Sequence, residues 1–277
     1  VLSLGLFASV SAASERPDVV FIIVDDLNDW LGCLDGHPDA KSPNIDTLAA
    51  SGMLFSQAYC NAPQCRPSRT SLNHGVYPFK TGTYFNARHK GETRITTPTM
   101  QQFFVDQGYR VVSGGKVHHG GPGNVGDSLL QRPRDPKPPA GQDKFGSLKP
   151  PNDGYALDAT DNEMGDYKVA RWAIGEWSKK TEEPLFMSVG FFRPHVPLFV
   201  PPKWFELYDA EKLALPKNPK TDLDDLPKNF LSINDYAVAP THAQVLGSGK
   251  QRSLTHAYLA SVSFVDHCVG IVLDALK

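Results

Sequence analysis

The chain predicts an α/β protein with a mostly parallel central sheet flanked by helices. A short continuous apolar run at 19–24 has the pattern of a strand covered on both faces, and the stretches 109–113 and 185–190 read as further strands. Amphipathic stretches with helical spacing lie between and after them. The alternation of strand and helix is the signature of a parallel α/β sheet. At 277 residues there is material for one large α/β domain or two small ones. A hydrophobic share of 40% suits a globular core. A net charge of −2 offers no polybasic surface for nucleic acid or an anionic membrane, so any affinity for an anion has to come from local basic residues. No internal repeat is visible.

Residues 1–13 form an apolar run ending in Ser11-Ala12-Ala13, which reads as the remnant of a secretory signal peptide. It is too short to span a bilayer, and no other segment reads as a transmembrane span. The expectation is a secreted, periplasmic or lysosome-like lumenal protein, with 14–277 as its catalytic domain. Val19–Val24 reads as a central strand. Asp25 and Asp26 follow it, at the strand end where α/β sheets gather ligands. Ile45–Ala50 and Pro67–Asn73 read as helices, with Cys65 at or just before the first turn of the second. Asn44 reads as the cap of the first. Thr97-Pro98 reads as a helix start and Gly108 as its end. Tyr109–Ser113 is a strand leading into Gly114-Gly115-Lys116. The stretch 120–154, rich in proline, glycine and charge, shows no strand or helix period and reads as a rim over a substrate entrance. Asp161–Lys180 is a helix with Val169, Trp172, Ala173 and Trp177 on one face. Leu185–Gly190 is a buried strand, and Phe191–Pro197 follows its carboxyl end. Residues 198–250 are mostly loop with short helices around Trp204–Tyr208. Leu254, Tyr258, Val262, Val265, Val269, Val272 and Leu276 mark a long amphipathic helix.

Several residues at these strand ends have reactive chemistry. Asp25 and Asp26 supply hard oxygens suited to Ca²⁺ or Mg²⁺, and equally suit a turn and helix cap. Cys65 is a thiol nucleophile, a disulfide half or a buried structural residue. Cys33 and Cys268 read as small buried apolar residues. Lys116 is a compact cation able to meet an anionic oxygen, and His118 and His119 follow it. His195, held between prolines, has a titration range suited to giving up a proton near neutrality. Arg193 is either a fork for an anionic group of a ligand, or a surface cation.

The stretch Cys65-Arg66-Pro67-Ser68-Arg69 resembles the maturation signature of type I sulfatases, whose cysteine is oxidised to formylglycine. The blocks Val20-Phe21-Ile22-Ile23-Val24-Asp25-Asp26, Ser42-Pro43-Asn44-Ile45-Asp46, Gly115-Lys116-Val117-His118-His119 and Arg193-Pro194-His195-Val196-Pro197 resemble that family in the same order, the last two its iduronate-2-sulfatase-like branch. The family's usual Thr-Gly-Arg after the signature is here His74-Gly75-Val76.

The resemblance implies an alkaline-phosphatase-like fold and hydrolysis of a sulfate ester on a carbohydrate. It implies a maturation enzyme that generates formylglycine at position 65, and a Ca²⁺ (alternatively Mg²⁺) held by Asp25, Asp26 and the converted Cys65. One hydroxyl of the hydrated aldehyde would attack sulfur and the other would expel sulfate. Arg69 and Lys116 would stabilise the transferring group, His119 or His118 would assist the diol, and His195 would protonate the leaving alcohol. The family's further ligand segment does not follow the last helix, so the chain reads as the amino-terminal part of a longer protein. Two other readings stay open: a phosphate or phosphonate ester hydrolase of the same superfamily, and a non-catalytic binder of sulfated glycans with Cys65 unconverted.

Overall fold

The computed structural model describes residues 16–87, 95–120, 125–126, 128–137, 154–217, 219, 221, 224–227 and 240–277. The leader expected at 1–13 and much of the rim expected at 120–154 lie outside the described residues.

Four parallel strands form the main sheet: β1 (Val19–Val24), β2 (Arg110–Gly115), β3 (Ser128–Leu130) and β5 (Leu185–Phe191), in the order β1-β5-β2-β3. A second parallel pair joins β4 (Tyr155–Ala156) to β6 (Phe199–Val200). The register sets Val24 beside Phe191, and Gly115 beside Gly190, so three strands end at one rim. β1 was expected at the centre, but among the described residues it is an edge strand with all six residues partly exposed. A continuous apolar run says nothing of strand order. The centre goes to β5, whose seven residues are all buried.

The strand period of two sorts β5 into two layers. Met187, Val189 and Phe191 pack on Val169, Ala170 and Ala173 of α5 (Gly165–Trp177) and on Phe264, Val265 and Cys268 of α8 (Gln251–Ala275). On the other face Phe186 stacks on Phe104 of α4 (Met100–Asp106), with ring centroids 4.0 Å apart. By length and composition α8 could cross a membrane. Instead it packs in the core against α5, α1 (Pro43–Ser51) and α6 (Pro202–Phe205), with Val262, Phe264 and Val265 wholly buried. The remaining helices are α2 (Cys65–His74), α3 (Pro78–Thr81) and α7 (His242–Gly247).

Several local expectations shift. The cap of α4 is Thr99, whose hydroxyl accepts from the Gln102 amide at 3.1 Å, two residues after Thr97. The stretch from Asp161 begins as a 3-10 turn (Asp161–Glu163), then Met164 is extended and the α-helix starts at Gly165. Residues 128–130, expected to be loop, pair with β2. Asn44 does not cap α1. Asp266 on α8 caps it from a distance, accepting from the Ile45 amide at 2.8 Å, the Asn44 amide at 3.2 Å and the Asn44 side chain at 2.7 Å. Cys268 is buried as expected, whereas Cys33 is only half-buried.

Candidate active site

The reactive residues meet at the carboxyl rim of β1, β2 and β5. Cys65 opens α2 after Gln64, which has extended backbone. Its position in the first turn sets it among amides that have no intrahelical partner, where negative charge is favoured. Cys65 Sγ lies 3.9 Å from Asp25 Oδ2 and 3.6 Å from Lys116 Nζ. Arg69 sits one helical turn further along and is 5% exposed. Its Nη2 donates to Asp25 Oδ1 at 2.6 Å, and its Nη1 donates to the carbonyls of Lys116 and Val117. Arg69 Nε is buried without a hydrogen-bond partner among the described residues.

Asp25 is the hub, accepting from Arg69 on one oxygen and from Lys116 on the other. Burial works to raise its carboxyl. The charges and hydrogen bonds of Arg69 and Lys116 outweigh that and hold it below the usual carboxylate range. Asp26, half exposed, is pushed up by the partial burial of its carboxyl, with His195 opposing and Asp25 adding to the rise. Its backbone is in the left-handed region at φ 56°, which Asp tolerates better than most residues. Tyr258 from α8 holds that turn, donating its hydroxyl to the Asp26 carbonyl at 2.8 Å and accepting from the Asn28 amide at 2.9 Å.

Lys116 is placed by glycines. Its amide donates to the Gly190 carbonyl at 2.7 Å. A Cβ on Gly190 would come within 2.2 Å of the Lys116 carbonyl carbon, so only glycine lets β2 cross there.

His195 follows β5 in a clamped loop. Asp166, fully buried at the start of α5, accepts from the Phe192 amide at 2.8 Å and the Arg193 amide at 2.7 Å. His195 Nδ1 faces the Val196 carbonyl, which can only accept, so Nδ1 carries the proton of the neutral ring. That assigns the exchangeable proton to Nε2, which lies 3.9 Å from Asp25 Oδ2 and 3.8 Å from Asp26 Oδ2. Burial, then Lys116, lowers the His195 pKa against the pull of Asp26.

Asp25, Cys65 and His195 bring one ligand atom each within 4.8 Å of one another. Asp25 contributes a hard carboxylate of the kind Ca²⁺ and Mg²⁺ take, and a second carboxylate, Asp26, lies 3.8 Å from His195 Nε2 beside that group, so the residues fit a divalent cation. A cleft of about 250 Å³ opens on them, lined by Asp25, Asp26, Cys60, Cys65, Ser68 and Arg69 among others.

The two candidate histidines after Lys116 separate. His119 is exposed, and Lys116, Asp25, Arg66 and Arg69 are the charges that bear on it. His118 is half-buried, with His74 and Arg69 bearing on it, and burial lowers its pKa to about 4. His119 therefore shares the field of the Asp25 cluster. Arg193, expected to reach a substrate anion, is turned inward and 2% exposed. It donates to the carbonyls of His195 (3.0 Å) and Pro197 (2.6 Å) and pairs with Asp135 at 2.5 Å. A guanidinium can satisfy two carbonyls and a carboxylate at once, and this loop uses it for that. Asp135 and Asp166 escaped the sequence reading, which gave Tyr258 only a place on the face of the last helix. Each acts on a loop far away in the chain, where local pattern carries no signal.

The family model described as Sulfatase matches residues 17–277. A sulfatase of Formosa agariphila is 35% identical over 95% of this chain and 56% of its own length. The iduronate 2-sulfatase of Homo sapiens is 30% identical over 99% of this chain and 54% of its own. The chain thus spans about half the length of these relatives. A solved phosphonate monoester hydrolase of Agrobacterium radiobacter superposes with a TM-score of 0.74 at 19% identity, over 95% of this chain and 59% of that one.

Proposed function

Because the chain belongs to the sulfatase family, we propose that the protein hydrolyses a sulfate ester on a carbohydrate at a centre built around position 65. Its mostly parallel sheet with flanking helices is the alkaline-phosphatase-like fold. The observation that carries the proposal is the setting of Cys65: the first turn of a helix, 3.6 Å from a lysine and 3.9 Å from a buried carboxylate that also binds Arg69. Burial, then Asp25, pushes the Cys65 thiol above its usual pKa. An unmodified thiol there is a poor nucleophile near neutrality, and in this reading position 65 is converted to formylglycine by a maturation enzyme. The converted side chain supplies a hydrated aldehyde, with one oxygen for attack on sulfur and a second for release of sulfate.

The protein's own groups do the positioning. Lys116 and Arg69 balance Asp25 and set positive charge where the sulfate oxygens would gather. His195 Nε2 holds and transfers the proton that a departing alcohol needs, while Arg193 and Asp166 fix its loop. His119 is the histidine placed to orient or deprotonate the diol. Asp25, Asp26 and position 65 would hold a divalent cation, Ca²⁺ in this reading, which when bound polarises the sulfate oxygens. The likeness to iduronate 2-sulfatase favours an anionic sugar as substrate, and the apolar leader at 1–13 favours export.

Mass spectrometry of the peptide containing position 65 tests this, on full-length protein made with a formylglycine-generating enzyme. The aldehyde is expected, together with turnover of an aryl sulfate well above that of the matching aryl phosphate. An intact thiol with retained affinity for sulfated glycan would instead identify a binding protein. A preference for the phosphate would identify a phosphoester or phosphonate hydrolase.

A further inference from the structure

Arg193 was the sequence's candidate for a second substrate anion, and the fold turns its terminal nitrogens inward onto Asp135 and the carbonyls of His195 and Pro197. Another guanidinium stands at the same place with its donors unspent. Arg132 lies over the ring of Phe192, its central carbon 3.3 Å from the ring centroid. The same ring carries His195, stacked with centroids 4.5 Å apart, and Lys116, whose Nζ is 4.7 Å from the centroid. Asp25 is near enough to act on the charge of Arg132. Arg132 is therefore a neighbour of the groups that handle the sulfate and the leaving alcohol.

Stacking engages the flat face of a guanidinium and leaves its in-plane N–H donors open. Among the described residues Arg132 donates no hydrogen bond within normal range. Its ion-pair partner is Asp135 at 3.9 Å, and that carboxylate is already held by Arg193 at 2.5 Å. The Arg132 side chain is 37% exposed, and the ring of Phe192, itself 8% exposed, backs its guanidinium. A planar cation with open paired donors, held rigid beside a reaction centre, is suited to a planar or tetrahedral oxyanion.

We propose that Arg132 is a second anion-binding group beside the cleft, taking a carboxylate or a further sulfate on the same sugar whose sulfate ester is cleaved. This rests on the sulfatase reading above and narrows it to polyanionic sugars.

The test compares full-length, matured wild type with Arg132→Gln on four substrates: an aryl sulfate with no second anion, a sulfated uronate, the same sugar with its carboxylate reduced to an alcohol, and a disulfated neutral sugar. Arg132→Gln is expected to raise KM roughly ten- to hundredfold for a doubly anionic sugar, the scale of a lost charge-assisted pair. The aryl sulfate and the reduced sugar should keep their KM and kcat. Whether the uronate or the disulfated sugar suffers tells carboxylate from sulfate. Equal losses on all four, as from a merely structural role, or no loss on either doubly anionic sugar, overturn the proposal. Should the wild type cleave none of them, the sulfatase reading fails separately. Calorimetric titration of the same sugars into Cys65→Ala, with and without Arg132→Gln, then decides: weaker binding of the doubly anionic sugars alone supports the site, and unchanged binding overturns it.

Discussion

Asp25 balances the Arg69 and Lys116 cations in a nearly closed space, so its removal has two separable effects. Asp25→Asn leaves both cations buried without a countercharge, and a loss of about 3–5 kcal/mol in stability is expected in chemical denaturation. Turnover of an aryl sulfate should fall at least a hundredfold. Asp26 is half exposed and salt-bridged by neither cation. Asp26→Asn should therefore lower Ca²⁺ affinity in calorimetry while leaving stability within about 1 kcal/mol of wild type. Equal destabilisation by the two variants would contradict the hub role given to Asp25. Arg193 makes a contrasting case, because it touches the loop of His195 and no part of the cleft. Arg193→Lys keeps the charge and loses the fork. Its kcat should fall with KM for an aryl sulfate little changed, whereas a KM effect would return Arg193 to substrate binding.

The site is assembled by the ends of elements, and those ends depend on close approaches. β2 and β5 run side by side until Gly115 and Gly190, where Lys116 crosses the Gly190 carbonyl. Gly190→Ala would place a Cβ against main-chain atoms that cannot move independently of the sheet. A loss of about 3 kcal/mol or more is expected, along with displacement of Lys116. α1 depends on a residue more than two hundred positions away. Asp266→Ala removes the carboxylate that serves its first amides and should cost about 2 kcal/mol. A thermal midpoint unchanged from wild type would show that water replaces that cap without loss.

At the scale of the molecule, stability should carry the mark of His118. Its folded pKa of about 4 lies below the ordinary 6.5, so between those values the unfolded chain binds more protons than the folded one. The neutral ring is no burden above pH 6.5, and stability drains away as the pH falls toward 4. The contribution is roughly 3 kcal/mol at full extent. His118→Gln of the full-length protein should lose less stability than wild type between pH 7 and 4.5 in denaturant titrations. Parallel pH slopes for the two proteins would show that His118 titrates normally.

The sequence by itself determined the strands at 19–24 and 185–190, the long helix near the end, and the residue types at position 65 and after β1. Those features are written in short windows, through the period of apolar residues and through a dense local motif. Among the described residues, tertiary structure alone decided that β5 lies between β1 and β2, because an apolar run does not record a strand's neighbours. It also decided that Asp266 caps α1, that Tyr258 holds the Asp26 turn, and that His119, not His118, shares the field of Asp25. The different settings of Arg193 and Arg132 have the same origin. Two arginines in loop segments look alike along the chain, and only the packing around Phe192 and Asp135 shows that one pairs tightly with Asp135 while the other lies over the Phe192 ring.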